Sequence, residues 1–323
     1  MCTSVSYLAG SHYFGRNLDL EHTYIETVTI TPRNFPFHFR LTQSNSRHYA
    51  LIGMAAVIND YPLYYDATNE HGLSIAGLNF PGNAIYQPPR EGCDNITPFE
   101  FIPWILCQCK TVSEAREKLN KLNLTAIPFS ELLPLSPLHW MICDKKESIV
   151  VEPMASGITI FDNPVGILTN NPPFDYHMQN LCNYLNLTPE EPVNRFTDKL
   201  SLKPYGRGMG AIGLPGDLSS ASRFVKAAFT KLNAVSDGTD MQDISQVFHI
   251  LGSVAQQRGC VKVGDSYERT IYSSCCNTDK GIYCYTTYDN SQITAVNLFH
   301  EDLDATNLLS FPLVTDQQIR NEN

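Results

Sequence analysis

The second residue of the chain, Cys2, carries two groups that together could cleave an amide or ester bond. Removal of Met1 would place a thiol nucleophile and a free α-amine on one residue, so the nucleophile would carry its own base. An α-amine ordinarily titrates near about 7.7 and a thiol near about 8.5, and both suit hydrolysis near neutral pH. Because many proteins carry a small second residue by chance, the neighbouring residues must decide between the two interpretations.

A charged pair stands where a first β-hairpin would return the chain to its N-terminus. The segments Cys2–Tyr7 and His12–Gly15 both have the pattern of strands, and their pairing would bring Arg16 and Asp19 towards Cys2. A guanidinium near a thiol favours the thiolate, and a carboxylate can orient an α-amine. The alternative is a surface ion pair that closes a turn.

Three further polar residues follow predicted strands or begin a predicted helix. Asn79 and Asn170 each end a strand, where an amide N–H can donate to an oxyanion. Asparagine near proline also commonly forms a turn, which is the alternative for both. Arg223 lies in the first turn of a helix, and it either reaches into a pocket or extends its stem along the surface.

The composition argues against several other classes of protein. The 323 residues include 33 acidic and 23 basic side chains, and the net charge of −10 disfavours a nucleic-acid partner or an anionic membrane surface. No apolar stretch approaches about 20 residues, and the N-terminus lacks the pattern of a secretory signal. The ten cysteines include no C-x-x-C pair and the histidines are scattered, so we expect neither a disulfide framework nor a metal site.

The order of predicted elements indicates one layered domain over residues 1–323. Strands, helices, strands, helices and strands follow one another, which favours an α+β fold of two antiparallel sheets with helices packed outside them. Two capping boxes, Thr97 with Glu100 and Thr111 with Glu114, open the first helices. The segment Gly208–Gly213 matches G-x-G-x-x-G, but no strand precedes it and no helix follows, so we do not expect a nucleotide site.

Taken together, these motifs resemble the choloylglycine hydrolases, which are the bile salt hydrolases and penicillin V acylases of the N-terminal-nucleophile (Ntn) hydrolases. The matching segments are Cys2, Phe14–Asp19, Ala76–Phe80, Leu168–Pro172, Pro215–Asp217 with Ser222–Phe224, and, as further matches, Ile30–Asn34, Leu138-His139-Trp140 and Tyr288–Ile293. The resemblance runs nearly end to end. It implies a four-layer αββα Ntn-hydrolase sandwich, a homotetramer in the bacterial cytoplasm, and no cofactor.

The resemblance also implies a catalytic set of six residues: Cys2, Arg16, Asp19, Asn79, Asn170 and Arg223. In this set the cysteine thiol is the nucleophile and its freed α-amine is the base. The first arginine tunes the sulfur and the aspartate holds the amine. The two asparagines line the oxyanion hole, Asn79 through its backbone N–H, and the second arginine completes the site.

Within the family, Asn79 favours conjugated bile salts as substrates, because bile salt hydrolases resemble this chain there and penicillin V acylases typically carry tyrosine. Five apolar residues match positions that face the steroid: Leu18, Ile58, Tyr65, Phe129 and Leu133. Ordinary core packing is the alternative for each. We therefore expect a hydrolase of the amide bond in glycine- and taurine-conjugated bile acids. The rivals are an acylase for penicillin V or N-acyl-homoserine lactones and a sterol-binding protein without catalysis.

Overall fold

A computed structural model describes residues 1–43 and 46–323. The strands in chain order are β1 (Cys2–Leu8), β2 (His12–Leu20), β3 (Thr27–Thr31), β4 (Leu51–Ile58), β5 (Tyr61–Asn69), β6 (Ser74–Asn79), β7 (Asp94–Ile96), β8 (Leu122–Leu124), β9 (Leu138–Cys143), β10 (Ser148–Met154), β11 (Gly157–Asp162), β12 (Ile167–Leu168), β13 (Val261–Val263), β14 (Ser266–Asn277), β15 (Ile282–Thr287), β16 (Thr294–Asn297) and β17 (Leu309–Pro312). The α-helices are α1 (Phe101–Leu106), α2 (Val112–Leu119), α3 (Phe174–Asn180), α4 (Ser220–Leu232) and α5 (Asp240–Gly252).

Two large antiparallel sheets form the centre of the fold. The first has the order β12-β1-β2-β14-β15-β16, with β13 paired to β14, and the second has the order β11-β10-β9-β6-β5-β4-β3-β17. Helices α4 and α5 pack on the first sheet and α1 packs on the second. This arrangement confirms the expected four-layer αββα sandwich.

The helices on the first sheet owe their position to amphipathic sequences with good caps. Helix α4 buries Phe224, Val225, Ala227 and Ala228 on one face, and the hydroxyl of Ser219 accepts a hydrogen bond from the N–H of the residue three positions later. Helix α5 follows the same rule, with Thr239 as its capping residue. Because α4 begins at a fixed cap, the arginine in its first turn has a defined position over the first sheet.

Several element boundaries differ from the sequence prediction. The first capping box opens a 3₁₀ turn at Pro98–Glu100, in which the Glu100 carboxylate accepts from the Thr97 N–H, and the α-helix that follows has only six residues. The sequence predicts that the second helix ends near Asn123, but the helix ends at Leu119, because Leu122–Leu124 forms a strand. Strand β5 has no clear signal in the sequence, since a proline and a buried aspartate interrupt its apolar pattern.

The described part of the chain has neither a helix that could span a membrane nor a cluster of metal-binding side chains. No helix there is long and apolar enough to cross a membrane. No group of three or more His, Cys, Asp or Glu side chains is placed to hold a metal ion. All ten cysteines are free thiols, and the segment Gly208–Gly213 forms a short 3₁₀ turn instead of the strand, turn and helix of a nucleotide site.

The buried histidine His12 should make the fold sensitive to acid. Its ring bonds to the hydroxyls of Ser6 and Thr278, and burial, opposed by Asp279 and Asp144, lowers its pKa from 6.5 to about 4. Below pH 6.5 the unfolded chain takes up a proton at this position and the folded chain does not. The free energy of unfolding should therefore fall by about 3 kcal/mol between neutral pH and pH 4 through this group alone.

Urea unfolding of wild type and His12→Gln at pH 7 and pH 4 tests this expectation. The variant should lose less stability between the two pH values, because it has no proton to bind in the unfolded chain. Equal losses in both proteins would contradict the assignment.

Candidate active site

The first hairpin brings the expected residues together by its register. Cys2 lies opposite Leu18 and Ser4 lies opposite Arg16, which confirms the predicted pairing. Successive side chains of a strand point to opposite faces of the sheet. Cys2 and Arg16 therefore point towards the second sheet, whereas Thr3 points towards the helices and contacts the guanidinium of Arg223. The site therefore lies at one end of the sandwich, where the N-terminus reaches both layers.

Arg16 is fully buried and joins the two sheets. Its Nη1 donates to the carbonyls of Tyr65 at 2.8 Å and Gly77 at 2.7 Å, and its Nη2 has no hydrogen-bond partner among the described residues. Burial alone would lower its pKa, but the charges of Cys2 and Asp66, among others, outweigh burial and raise it. A permanently charged guanidinium therefore lies beside the thiol.

Asp19 is buried and has one unused carboxylate oxygen. Its Oδ1 accepts from the hydroxyl of Thr270 at 2.6 Å, and its Oδ2 has no hydrogen-bond partner among the described residues. Burial raises the pKa of this carboxyl, although Arg223 and the chain's amino terminus oppose the shift. An ammonium group brought close to Oδ2 would therefore find an unpaired acceptor.

A β-bulge places the partner of Asp19. Thr270 lies opposite Asp19 and Tyr272 lies opposite Leu18, so the residue between them, Ile271, is extra in β14. The insertion lets Thr270 and Tyr272 face opposite sides of the sheet. As a result Thr270 reaches Asp19, while the hydroxyl of Tyr272 crosses to the carboxylate of Asp66 in the second sheet at 2.6 Å.

Hydrogen bonds and an ion pair hold both the amine and the carbonyl of Met1. Its amine ion-pairs with the buried carboxylate of Glu268 and donates to the carbonyl of Asp19 at 2.8 Å, and its carbonyl accepts from the N–H of Asp19 at 2.9 Å. Burial lowers the pKa of this amine. In this state the nitrogen of Cys2 is a peptide nitrogen and donates to Asn170.

The side-chain amide of Asn170 connects the other members of the site. Its Oδ1 accepts from the nitrogen of Cys2 and from Nη2 of Arg223, both at 2.8 Å, and its Nδ2 donates to the carbonyl of Asn79 at 2.7 Å. The backbone N–H of Asn170 donates to the hydroxyl of Ser220 at 2.8 Å. The amide is therefore fixed in orientation, with its oxygen towards the nucleophile and its nitrogen towards strand β6.

Arg223 reaches the nucleophile from the first turn of α4. Its Nη1 donates to the carbonyl of Cys2 at 2.5 Å and to the hydroxyl of Thr3 at 2.6 Å. Burial lowers the pKa of this guanidinium, and the charges of Asp19 and Cys2 oppose the shift. Of the two alternatives left open for Arg223, the structure shows the buried one: the residue is 1 % exposed, so its stem does not lie along the surface.

The pairing of β6 with β9 orients the backbone N–H and carbonyl of Asn79 towards the site. Phe80 donates its N–H to the carbonyl of Pro137, so the neighbouring pair of Asn79 with Leu138 is a non-hydrogen-bonded pair. The N–H and carbonyl of Asn79 therefore point away from β9. The carbonyl is the acceptor for Asn170, so the N–H lies on the same open edge.

The glycine of the Phe14-Gly15-Arg16 motif is required by close strand contact. A Cβ at Gly15 would lie 2.1 Å from the carbonyl oxygen of Ser274 in β14. Gly15→Ala should therefore separate β2 from β14, destabilise the fold by about 1–3 kcal/mol and displace Arg16.

Thermal unfolding with parallel activity measurements checks this prediction. Gly10→Ala is the matched control, because nothing lies within 4 Å of a Cβ built at that position. The two variants should differ clearly in melting temperature, and equal stability would contradict the packing argument.

The five candidate substrate residues occupy different environments. Leu18 is buried in the core beside Cys2, and Tyr65 is half-buried next to Arg16, to which it offers its carbonyl. Ile58 is half-buried at the end of β4. Phe129 packs edge-on against Phe99 with ring centroids 5.2 Å apart, and Leu133 is half-buried in the same loop.

Several residues that support the site were not found from the sequence. Thr270 and Glu268 approach the N-terminus from β14, about 250 positions away, and no local pattern signals that contact. Ser220 directly follows the cap residue of α4, and no local pattern signals its contact with the N–H of Asn170. Asp66 gave no signal because an isolated aspartate is ordinarily a surface residue.

The sequence model of one family, described as linear amide C–N hydrolases of the choloylglycine hydrolase family, matches residues 2–311. The chain is 57 % identical over 319 residues to the bile salt hydrolase/transferase of Lactiplantibacillus plantarum, covering 98 % of both proteins. It is 39 % identical over 321 residues to the bile salt hydrolase/transferase of Clostridium perfringens, covering 96 % of both.

Solved structures agree with these sequence matches. The C2A mutant of the conjugated bile acid hydrolase from Clostridium perfringens superposes with a TM-score of 0.94 at 37 % identity, covering 100 % of both chains. Penicillin V acylase from Agrobacterium tumefaciens has a TM-score of 0.75 at 17 % identity over 96 % of this chain and 90 % of that one, which supports the fold alone. The match from residue 2 to residue 311 and the whole-length identities establish that this chain belongs to the choloylglycine hydrolase family of linear amide C–N hydrolases.

Proposed function

We propose that the protein is a bile salt hydrolase that cleaves the amide bond between a bile acid and glycine or taurine. The observation that carries the proposal is the whole-length identity of 57 % to a bile salt hydrolase/transferase, in a chain whose buried polar residues converge on Cys2. Asn79 supports bile salts over penicillin V, as the family resemblance implies.

The reaction begins with the thiol of Cys2 once Met1 has been removed. The freed α-amine takes the thiol proton, the sulfur bonds to the amide carbon, and the carbonyl π electrons move onto oxygen. The N–H of Asn79 and the amide of Asn170 receive this oxyanion. As the C–N bond breaks, the ammonium returns the proton to the departing nitrogen, and water then hydrolyses the thioester to release the bile acid.

The buried charges keep the terminal residue in the required ionic form. The guanidinium of Arg16 stabilises the thiolate, and Nη2 is the donor left for this purpose. The free Oδ2 of Asp19 orients the α-ammonium, while Arg223 holds the carbonyl of Cys2. The oxygen of Asn170 gives the amine a second acceptor, at the position where the peptide nitrogen now donates.

The active form should lack Met1, because a peptide nitrogen cannot act as the base. Intact-mass measurement of purified protein should show a mass lower by one methionine in the active fraction. Protein that retains Met1 in full and still turns over substrate would contradict the role of the α-amine.

An apolar slot beside the nucleophile would take the steroid. Tyr65 lies next to Arg16, and its aromatic body suits the apolar face of a sterol. Leu18, Ile58, Phe129 and Leu133 complete the proposed lining. A charged head group of glycine or taurine would then lie towards the polar end of the slot.

A panel of four amides tests the substrate assignment. Taurocholate, glycocholate, penicillin V and an N-acyl-homoserine lactone are supplied at equal concentration, and the released amine is quantified. Hydrolysis of both bile salts, well above that of the other two, is expected. A preference for penicillin V or the lactone would replace the proposal with that of an acylase, and sterol binding without release would indicate a binding protein.

The proposed assembly is a homotetramer in the bacterial cytoplasm. The segment 185–212 supports association, since it carries seven exposed apolar side chains: Leu185, Val193, Phe196, Leu200, Leu202, Tyr205 and Ile212. Light scattering of the purified protein should give four times the chain mass of 36.2 kDa. A monomeric mass would contradict this proposal and leave the catalytic assignment unaffected.

A further inference from the structure

One buried histidine contacts both segments that carry the site asparagines. The ring of His139 stacks on the ring of Phe80, with centroids 4.2 Å apart and planes 4° from parallel. Its Nε2 lies 2.9 Å from the carbonyl oxygen of Thr169. Phe80 directly follows Asn79 and Thr169 directly precedes Asn170, so a single side chain lies against both strand ends.

The partners of His139 determine where its hydrogens lie. The carbonyl of Thr169 can only accept, so Nε2 carries a hydrogen. Nδ1 lies 3.1 Å from Oε1 of Glu152, which also accepts from the N–H of Phe174 at 3.0 Å. Nδ1 and a carboxylate oxygen can hydrogen-bond only if a proton lies between them. The pair therefore holds one shared proton and has no net charge, whichever residue formally carries it.

Burial makes this pair costly to disturb. His139 and Glu152 are both 0 % exposed, so loss of either partner leaves a buried polar group unsatisfied. The strand end at Asn170 has two other supports, because its N–H donates to Ser220 and its carbonyl accepts from Nε2 of His177. His139 differs from both because its ring also packs against the segment of Asn79.

We propose that His139 and Glu152 are positioning residues for the oxyanion hole, which fix the N–H of Asn79 relative to the amide of Asn170. The inference rests on the proposed function, in which both asparagines receive the oxyanion. Neither member of the pair touches the substrate. Because oxyanion donors act in the transition state, their misalignment lowers kcat and leaves KM nearly unchanged.

His139→Phe tests the pair, since it keeps a ring against Phe80 and removes both hydrogen bonds. Turnover of the preferred bile salt should fall about 10- to 100-fold, as expected for a misplacement near 1 Å. KM and the rate at which iodoacetamide alkylates Cys2 should stay within about threefold of wild type, because the thiol and Arg16 are not contacted. A purely structural role would change all three together with the melting temperature.

Two substitutions at Glu152 separate the shared proton from packing. Glu152→Gln keeps an oxygen for the N–H of Phe174 but brings no proton to the pair, so a neutral His139 ring has one hydrogen for two acceptors and loses one of its two hydrogen bonds. Its kcat should fall by about 3- to 10-fold. Glu152→Leu should resemble His139→Phe, because it offers no polar group. Wild-type turnover in the glutamine variant would overturn the shared-proton description.

His12→Phe is the matched control, because His12 is also buried and makes two hydrogen bonds, at the opposite end of β2 from Asp19. It should keep wild-type turnover despite any loss of stability. If the wild type is active and His139→Phe has the same turnover, the inference about His139 is overturned and the proposed function stands. A wild type that releases no amino acid from any bile salt would overturn the proposed function and the inference with it.

Discussion

Replacing Cys2 with alanine should reduce the release of glycine or taurine by at least about 10⁴-fold, because no other group is placed to form the acyl intermediate. The variant should fold normally. The contacts that hold this residue come from its backbone nitrogen and carbonyl, which bond to Asn170 and Arg223 and are the same in alanine. Released amino acid, quantified against the uncatalysed reaction, is the measurement.

Control variants separate the terminal thiol from the other cysteines. Cys182 and Cys260 are exposed, so Cys182→Ser and Cys260→Ser should keep full activity. In a protein with both serines, iodoacetamide should label Cys2 stoichiometrically and abolish turnover in parallel. An alanine variant that keeps a tenth of the wild-type rate would refute the assignment of the nucleophile.

The local part of this site can be predicted from sequence because short-range pairing builds it. Cys2 and Arg16 belong to one hairpin with a short turn, so strand patterning alone brings them together. The orientation of Asn79 could not be obtained in this way. It depends on the phase of the ladder between β6 and β9, which one hydrogen bond from Phe80 to Pro137 fixes.

The contacts of the site between residues far apart in the chain could not be predicted from the residues themselves. Thr270 reaches Asp19 only because Ile271 is extra in β14, and a one-residue insertion has no visible pattern in a strand of mixed polarity. Strand β5 could not be predicted for a related reason. Asp66 interrupts its apolar pattern, and its burial becomes acceptable only because the hydroxyls of two tyrosines in the other sheet donate to it.

Burial of the site charges should link the stability of this fold to its activity. Arg16 and Arg223 are both buried, and such charges persist only where opposite charge and hydrogen bonds compensate for lost hydration. Asp19 and Asp66 supply the opposite charge. The charged residues of the proposed catalytic cluster therefore lie in the interior of the sandwich, and replacing Arg16 or Arg223 should alter unfolding as well as turnover.

Replacing Asn170 with alanine should lower kcat by about 10³-fold, the upper range for loss of one oxyanion-hole donor. The large effect is expected because this amide also accepts hydrogen bonds, in addition to its role as a donor to the oxyanion. Its oxygen accepts from the nitrogen of Cys2 and from Arg223, and its nitrogen fixes the carbonyl of Asn79. Alanine therefore releases the nucleophile and the second donor together, and steady-state kinetics with the preferred bile salt measures the loss.

Two further variants distinguish the roles of this amide. Asn170→Asp keeps an oxygen for Cys2 but turns a second oxygen towards the carbonyl of Asn79, so it should also lose activity if the donor matters. Asn171→Ala is the matched control, because Asn171 is adjacent and donates in the same manner to the carbonyl of Pro81, outside the site. It should stay within about threefold of wild type. If Asn170→Asp retained wild-type turnover, the hydrogen bond to Asn79 would be dispensable, and the oxygen acceptor alone would account for the effect of alanine.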